Sequence, residues 1–422
     1  MKKYFFIVAF ILLAIFNQTA FAEDITYCAS YESYDCSYET DTFKDFLDNL
    51  DETYFETNNF QTFENYVYLE DPYFKFYIPN YVTEFQLFDE YGGYVSSVDW
   101  EDIDLNKNKV HDDIDDLIDS FKKIEQKYFG SSSYYKLDKW NGKLSVLIDY
   151  SCYYSLSDNS CVYGYYAPND EYAASFDISG NYIMIDPEGA LLGPLELERD
   201  KYDTQSTIAH EVFHAIQNVY ISDSFFWNNY AFDNFFEGTA VSMQRNAVSS
   251  SQEYLYYIAD SQFQYPSYSI FGPTPSQEMA NYGSFIWYNF LERKYGKDIV
   301  EKLLYAYSTL EEYPNVYRSF LANLKAIEEE GDNIYSAYLE YVKWNYDKEK
   351  YTYSDSLKDV YIAKTHTYYP TGEVVMDEEK APTLFASNYV EFDLRSKDEN
   401  LHVDFEGNNE ADLYVTFLPI DG

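Results

Sequence analysis

The chain has 422 residues, enough for two or three domain-sized units and a sizeable core. Its 73 acidic against 29 basic side chains give a formal charge of -44, a field that repels nucleic acid and anionic membranes and excludes both as main partners. Such a surface is compatible with calcium, high salt or cationic substrates. The 50 Tyr and 32 Phe fit AT-rich codon usage, yet Lys shares that bias and stays scarce, which points to selection for the acidity itself.

Met1-Lys2-Lys3 precedes an apolar run from Tyr4 to Phe16 and then Asn17-Gln18-Thr19-Ala20-Phe21-Ala22. A basic start, a short apolar stretch and an Ala-x-Ala ending are the pattern of an export signal cut after Ala22; the run is too short to span a bilayer comfortably. The mature protein is therefore expected to be secreted or periplasmic, with no stable membrane insertion. Cys28, Cys36, Cys152 and Cys161 fit that compartment. Four cysteines allow three connectivities, and loop-closure cost favours the two local pairs. A four-cysteine zinc site is the rival, but no Cys-x-x-Cys spacing is present.

Residues 23 to about 95 are acidic and Tyr-rich, and read as a small N-terminal domain or a propeptide. Within them Asp41 to Leu47 suggests a short helix, and Tyr73 to Pro79 a strand stopped by proline. Oxygen-bearing side chains then recur at Asp104, Asn106, Asn108, Asp112 and Asp115, the ligand order of a structural calcium loop. Lys109 stands at the turn glycine of such a loop, and the segment reads equally as an acidic stretch capping the next helix. Ile114, Leu117, Ile118, Phe121 and Ile124 recur at helical spacing and predict that helix up to Tyr128. Two strands are expected at Lys143 to Asp149 and Asn181 to Asp186. From about Thr204 to Tyr346 the pattern is mostly helical. After Pro382 it alternates again at Tyr389 to Leu394, Leu401 to Phe405 and Leu413 to Phe417, suggesting a β-sandwich-like module over 380–422 that ends after few strands.

The chemistry lies at His210-Glu211-Val212-Phe213-His214. On a helix, positions i and i+4 face the same way, so two imidazoles can grip one ion, and Glu211 beside the first can deprotonate a water at the open position. A catalytic zinc needs a third protein ligand. The segment Asn234-Phe235-Phe236-Glu237-Gly238-Thr239-Ala240 offers Glu237, with an apolar flank and a Gly-x-Ala that permits close helix packing. A third histidine six residues after His214 is absent; Gln217 and Tyr220 sit at the third and sixth positions.

These motifs resemble those of the gluzincins, the thermolysin-like clan in which HExxH is followed by a Glu ligand. The chain looks especially like secreted proteins of that type with HExxHAIQ and EGTA motifs. Asn281-Tyr282-Gly283-Ser284-Phe285, Leu291 to Gly296, and Tyr341 to Tyr346 extend the likeness, which covers roughly Trp100 to the C-terminus. The resemblance implies an α+β fold with an edge-stranded sheet and a helical subdomain over 96–350, followed by the β-module. It implies zinc on His210, His214 and Glu237, Glu211 as general base, and Asn181 to Asp186 as the edge strand that pairs with an extended peptide or protein substrate. Thermolysin has an acid four residues after its ligand Glu; here Val241 occupies that place, so the partner orienting a zinc imidazole must come from elsewhere. Tyr282 is the candidate for stabilising a developing oxyanion, with His366 a weaker one. The expected activity is zinc-dependent endopeptidase. The alternatives are a catalytically inactive scaffold used for binding or adhesion, and a zinc hydrolase acting on a non-peptide bond.

Overall fold

The computed structural model describes residues 60–83, 87–88, 94–96, 112–129, 143–149, 164–168, 170–186, 197–221, 234–249, 263, 269–271, 280–310, 315–346, 366–368 and 390–392. The chain divides into two compact units, and every described residue belongs to the larger, Phe55–Val98 with Asn106–Gly422. The elements in chain order begin with strands β1 (Gln61–Thr62), β2 (Tyr66–Glu70) and β3 (Phe74–Pro79), then helix α1 (Asn80–Thr83) and strands β4 (Leu87–Phe88) and β5 (Tyr94–Ser96). Next come α2 (Asp112–Tyr128), β6 (Leu144–Ile148), β7 (Gly164–Ala167), α3 (Glu171–Ala174) and β8 (Tyr182–Ile185). The helical part follows as α4 (Leu197–Tyr220), α5 (Asn234–Ala247), α6 (Ala280–Gly283), α7 (Phe285–Tyr295), α8 (Asp298–Ser308), α9 (Asn315–Glu329) and α10 (Ile334–Tyr346). Strands β9 (His366–Tyr368) and β10 (Val390–Phe392) close the series.

The fold is mixed α+β. Six strands form one sheet in the order β1-β2-β3-β6-β8-β7, with β3, β6 and β8 parallel and β1, β2 and β7 antiparallel to their neighbours. Strand β6 is buried along its whole length, as a central parallel strand covered on both faces must be. Its period-2 geometry divides it between two clusters. Leu144, Val146 and Ile148 join the main core, whereas Leu147 joins Tyr66, Tyr77, Phe176, Tyr182 and Met184 on the other face. Helix α2 packs Phe121 edge-on against Phe74 and Phe76 of β3. All five apolar positions that predict α2 are buried, so its 3.6-residue periodicity is the face laid on the sheet.

Strands β1 to β3 fall in the 23–95 region set apart above, yet β3 pairs with β6 through Phe74–Leu144 to Tyr77–Leu147. A boundary at residue 95 therefore cuts through one sheet: β3, the strand expected at Tyr73 to Pro79, pairs on one side with its neighbour in sequence, β2, and on the other with β6, far along the chain. The export signal, the Asp41 to Leu47 helix and all four cysteines lie outside the described residues. No helix among the described residues is long and apolar enough to cross a membrane. Of the C-terminal strands expected, the first is β10, paired parallel with β9; the other two lie outside the described residues.

Candidate metal centre

His210, Glu211 and His214 lie within α4, whose Ile208, Ala209, Val212, Ala215 and Ile216 are all buried. The helix is thus enclosed by apolar packing, and the polar chemistry is carried on one stripe. Tyr128 at the end of α2 donates its hydroxyl hydrogen to the Ala209 carbonyl at 3.0 Å, fixing the backbone just before His210. Facing α4, α5 holds Glu237 in its first turn. Gly238 is what lets α5 close on α7: a Cβ there would collide with the Ser284 hydroxyl and come within 2.8 Å of the Tyr288 ring. Ser284 in turn donates to the Asn234 carbonyl at 2.7 Å, tying the start of α5 to its neighbour.

The two helices bring three donor atoms to one point. His210 Nε2 lies 3.0 Å from His214 Nε2 and 3.1 Å from Glu237 Oε2, and His214 Nε2 lies 3.5 Å from that same oxygen. A tetrahedral ion with bonds of about 2.0–2.1 Å separates neighbouring ligands by roughly 3.3 Å. The observed triangle brackets that spacing. His210, Glu211, His214 and Glu237 are all buried, none more than 7% exposed, so water cannot screen the charges they carry. The His-His-Glu group can hold a metal ion.

The outward ring nitrogens are occupied as well. His214 Nδ1 meets Gln217 Oε1 at 2.8 Å, and His210 Nδ1 meets Gln244 Oε1 at 2.9 Å. Gln217 Nε2 donates to the Phe236 carbonyl at 2.9 Å and to Thr239 Oγ1 at 2.7 Å, which leaves its oxygen for the imidazole. His214 must therefore donate from Nδ1, leaving the Nε2 lone pair aimed at the common point. Three lone-pair atoms converging in a dry pocket call for a positive charge between them. Without a metal, a proton meets that demand. Burial alone would lower His210, but its hydrogen bond to Glu237 and the charges of Glu211 and Glu237 outweigh it and hold the imidazole up at about 9. Burial likewise opposes ionisation of Glu237, yet the two histidines bring its carboxyl down to about 2.

Glu211 points along the same stripe. Burial pushes its carboxyl upward, while the charges of His210 and His214 and a hydrogen bond from the Tyr166 main chain draw it partly back. Tyr166 belongs to β7, and its hydroxyl accepts a hydrogen bond from Asn218 of α4 at 2.9 Å. Gly164 at the start of β7 is equally close: a Cβ would meet Ile185 at 2.6 Å and Thr207 of α4 at 3.0 Å. The strand beside the site is therefore β7. This corrects the expectation for Asn181 to Asp186, because β8 is flanked on both sides, by β6 and by β7. Strand β7 lies at the edge of the described sheet. It escapes sequence reading because Gly-Tyr-Tyr-Ala has neither branched residues nor an apolar–polar alternation.

Tyr282 does come to the site. Its half-buried ring stacks on His210, with centroids 5.7 Å apart and planes 24° from parallel. Val241 is buried apolar packing, as its side chain demands. The imidazole partner that this position lacks is supplied one turn later by Gln244, seven residues after Glu237 and hence on the same helix face. Sequence reading missed both amides; the i+7 spacing of Gln244 from Glu237, and the place of Gln217 one turn after His214, are the signals that could have found them. Of the calcium candidates, Asp112 and Asp115 open α2, with Asp115 fully buried, whereas Asp104, Asn106 and Asn108 lie outside the described residues. His366 is in β9.

The chain belongs to a family of unknown function, DUF6055, which matches residues 192–418 and so more than half of its 422 residues. The matched span includes all of α4 and α5, hence His210, Glu211, His214 and Glu237. No curated protein and no solved structure matches the chain.

Proposed function

We propose that this protein is an exported zinc-dependent endopeptidase of gluzincin type, with His210, His214 and Glu237 as zinc ligands. The observation that carries the proposal is the buried triangle of two imidazole nitrogens and one carboxylate oxygen, with the Glu211 carboxyl beside it on the same helix. Two histidines, one glutamate and an adjacent glutamate make the donor set of a catalytic rather than a structural zinc, because three protein ligands leave a position open. Bound there, zinc would supply Lewis acidity, polarising a substrate carbonyl and making a nearby water easier to deprotonate.

The chain's own groups supply the rest. Glu211 takes a proton from the attacking water and passes it to the departing amine, a task helped by burial, which raises its carboxyl above the ordinary carboxylate value. The Tyr166 main-chain N–H holds that carboxylate in place. An extended peptide adds to the outer side of β7, exchanging main-chain hydrogen bonds as a further strand, and so lies across Glu211. Tyr282, whose ring stacks on His210, is the candidate donor to the oxygen of the tetrahedral intermediate. The mixed sheet with β7 at the edge of its described strands, followed by the helices that complete the site, supports this reading.

The test combines metal analysis with cleavage of a mixed peptide library by the mature protein, with and without a chelator. About one zinc per chain and chelator-sensitive cleavage within peptides are expected. A zinc-loaded protein that cleaves no peptide in the library would reject peptidase activity and leave a binding scaffold or a hydrolase of a non-peptide bond.

A further inference from the structure

We infer that Gln217 and Gln244 are positioning residues that hold the two imidazoles with Nε2 free for a metal; the inference rests on the metal-binding reading above. Both amides are buried, at 0% and 2% exposure, where a polar group is tolerated only if its hydrogen bonds are made. Each offers its oxygen to an imidazole Nδ1 and its nitrogen to an acceptor: the Phe236 carbonyl and Thr239 for Gln217, Ser206 Oγ at 2.7 Å for Gln244. The direction of each amide is therefore set from behind, and the ring it faces is set in turn. Metal-bound imidazoles ordinarily have such an outer partner, and losing it costs about 10–100-fold in metal affinity.

The choice of amide over carboxylate has a physical reason that differs between the two positions. Glu211 and Glu237 already place two acids in a dry pocket, which a bound divalent ion offsets, so the deciding difference is what stands behind each amide. At Gln217 a carboxylate would set two acceptors against each other, because the Phe236 carbonyl cannot donate. At Gln244 it would not, since the Ser206 hydroxyl can turn and donate instead. The two sites therefore answer the same substitution differently, which a merely space-filling role would not produce.

The experiment measures zinc affinity by competition with a chromophoric chelator, together with the visible spectrum of the cobalt-loaded protein and the circular dichroism of each variant. Gln217→Met and Gln244→Met are expected to lose about 10–100-fold in zinc affinity and to alter the cobalt bands. Gln244→Glu keeps an acceptor on the ring and is expected to stay within about threefold of wild type, whereas Gln217→Glu loses as much as Gln217→Met. Folded Met variants that bind zinc like wild type overturn the inference. So does a Gln244→Glu protein with native circular dichroism whose affinity falls tenfold or more, a comparison that holds even where a Met variant does not fold. Wild-type protein that takes up neither zinc nor cobalt overturns the metal reading itself, and this inference with it.

Discussion

Helix α4 carries two imidazoles and a carboxyl within five consecutive positions, whereas α5 carries Glu237 in its first turn and Gln244 two turns later. The first set is brought together by the helix itself, since i and i+4 share a face. The second reaches the same point only because α5 lies hard against α4 and α7, a fit that depends on Gly238 having no side chain. Strand β7 belongs with the second group: Tyr166 meets Glu211 through a main-chain contact between residues 45 positions apart, as 211 minus 166 gives. One wall of the site is thus chemistry written locally, and the other is geometry supplied by packing.

Substitutions that touch only the local wall should remove chemistry without removing the pocket. Glu211→Gln is expected to reduce peptide cleavage on the order of 10³-fold while zinc content stays at wild type. Cleavage within tenfold of wild type would show that the base lies elsewhere. Tyr282 reaches His210 from α6, on the packed side, yet Tyr282→Phe keeps its ring in place and removes only the phenol donor, so a fall of about 10²-fold in kcat with KM little changed is expected. An unchanged kcat would reduce Tyr282 to packing.

A substitution on the packed wall should do the reverse. Gly238→Ala drives a methyl into Ser284 and Tyr288, and overpacking of this kind costs about 1–3 kcal/mol. A lower melting temperature and weaker zinc binding are expected together, measured by calorimetry with and without the metal. If stability falls and zinc affinity does not, the placement of Glu237 is independent of the α5–α7 fit.

The smallest effect probes the contact between the two walls. In the metal-free protein His210 is raised from 6.5 to about 9, so its contribution to stability is full below pH 6.5 and is lost as pH rises through 9. Glu237 is lowered from 4.5 to about 2, so its contribution is present above pH 4.5 and is lost as pH falls towards 2. Metal-free melting temperature should therefore decline by a few degrees between pH 6.5 and 9. Zinc competes with the same proton, so the rise in melting temperature on adding zinc should be larger at pH 9 than at pH 6.5. A zinc-induced shift that is the same at both pH values would show that no proton is displaced.

Periodic elements were legible because burial repeats along them. Ile114, Leu117, Ile118, Phe121 and Ile124 mark α2, and the branched, apolar runs Leu144 to Ile148 and Tyr182 to Ile185 read as strands from their residue types alone. Strand β7 was not legible, for its four residues carry no apolar rhythm and its place beside α4 depends on the close approach of Gly164 to Thr207. The same holds for the membership of β1 to β3 in the main sheet, since pairing between β3 and β6 leaves no trace in either segment alone.

By itself, then, the sequence determined that one turn of α4 presents His210 and His214 on a common face and nominated Glu237 beside them, because spacing on a helix is a local property. Tertiary structure alone decided which strand lies beside Glu211, and which two amides face the imidazoles. Those relations depend on how closely separate elements approach, and steric fit between distant segments is not encoded at any single position.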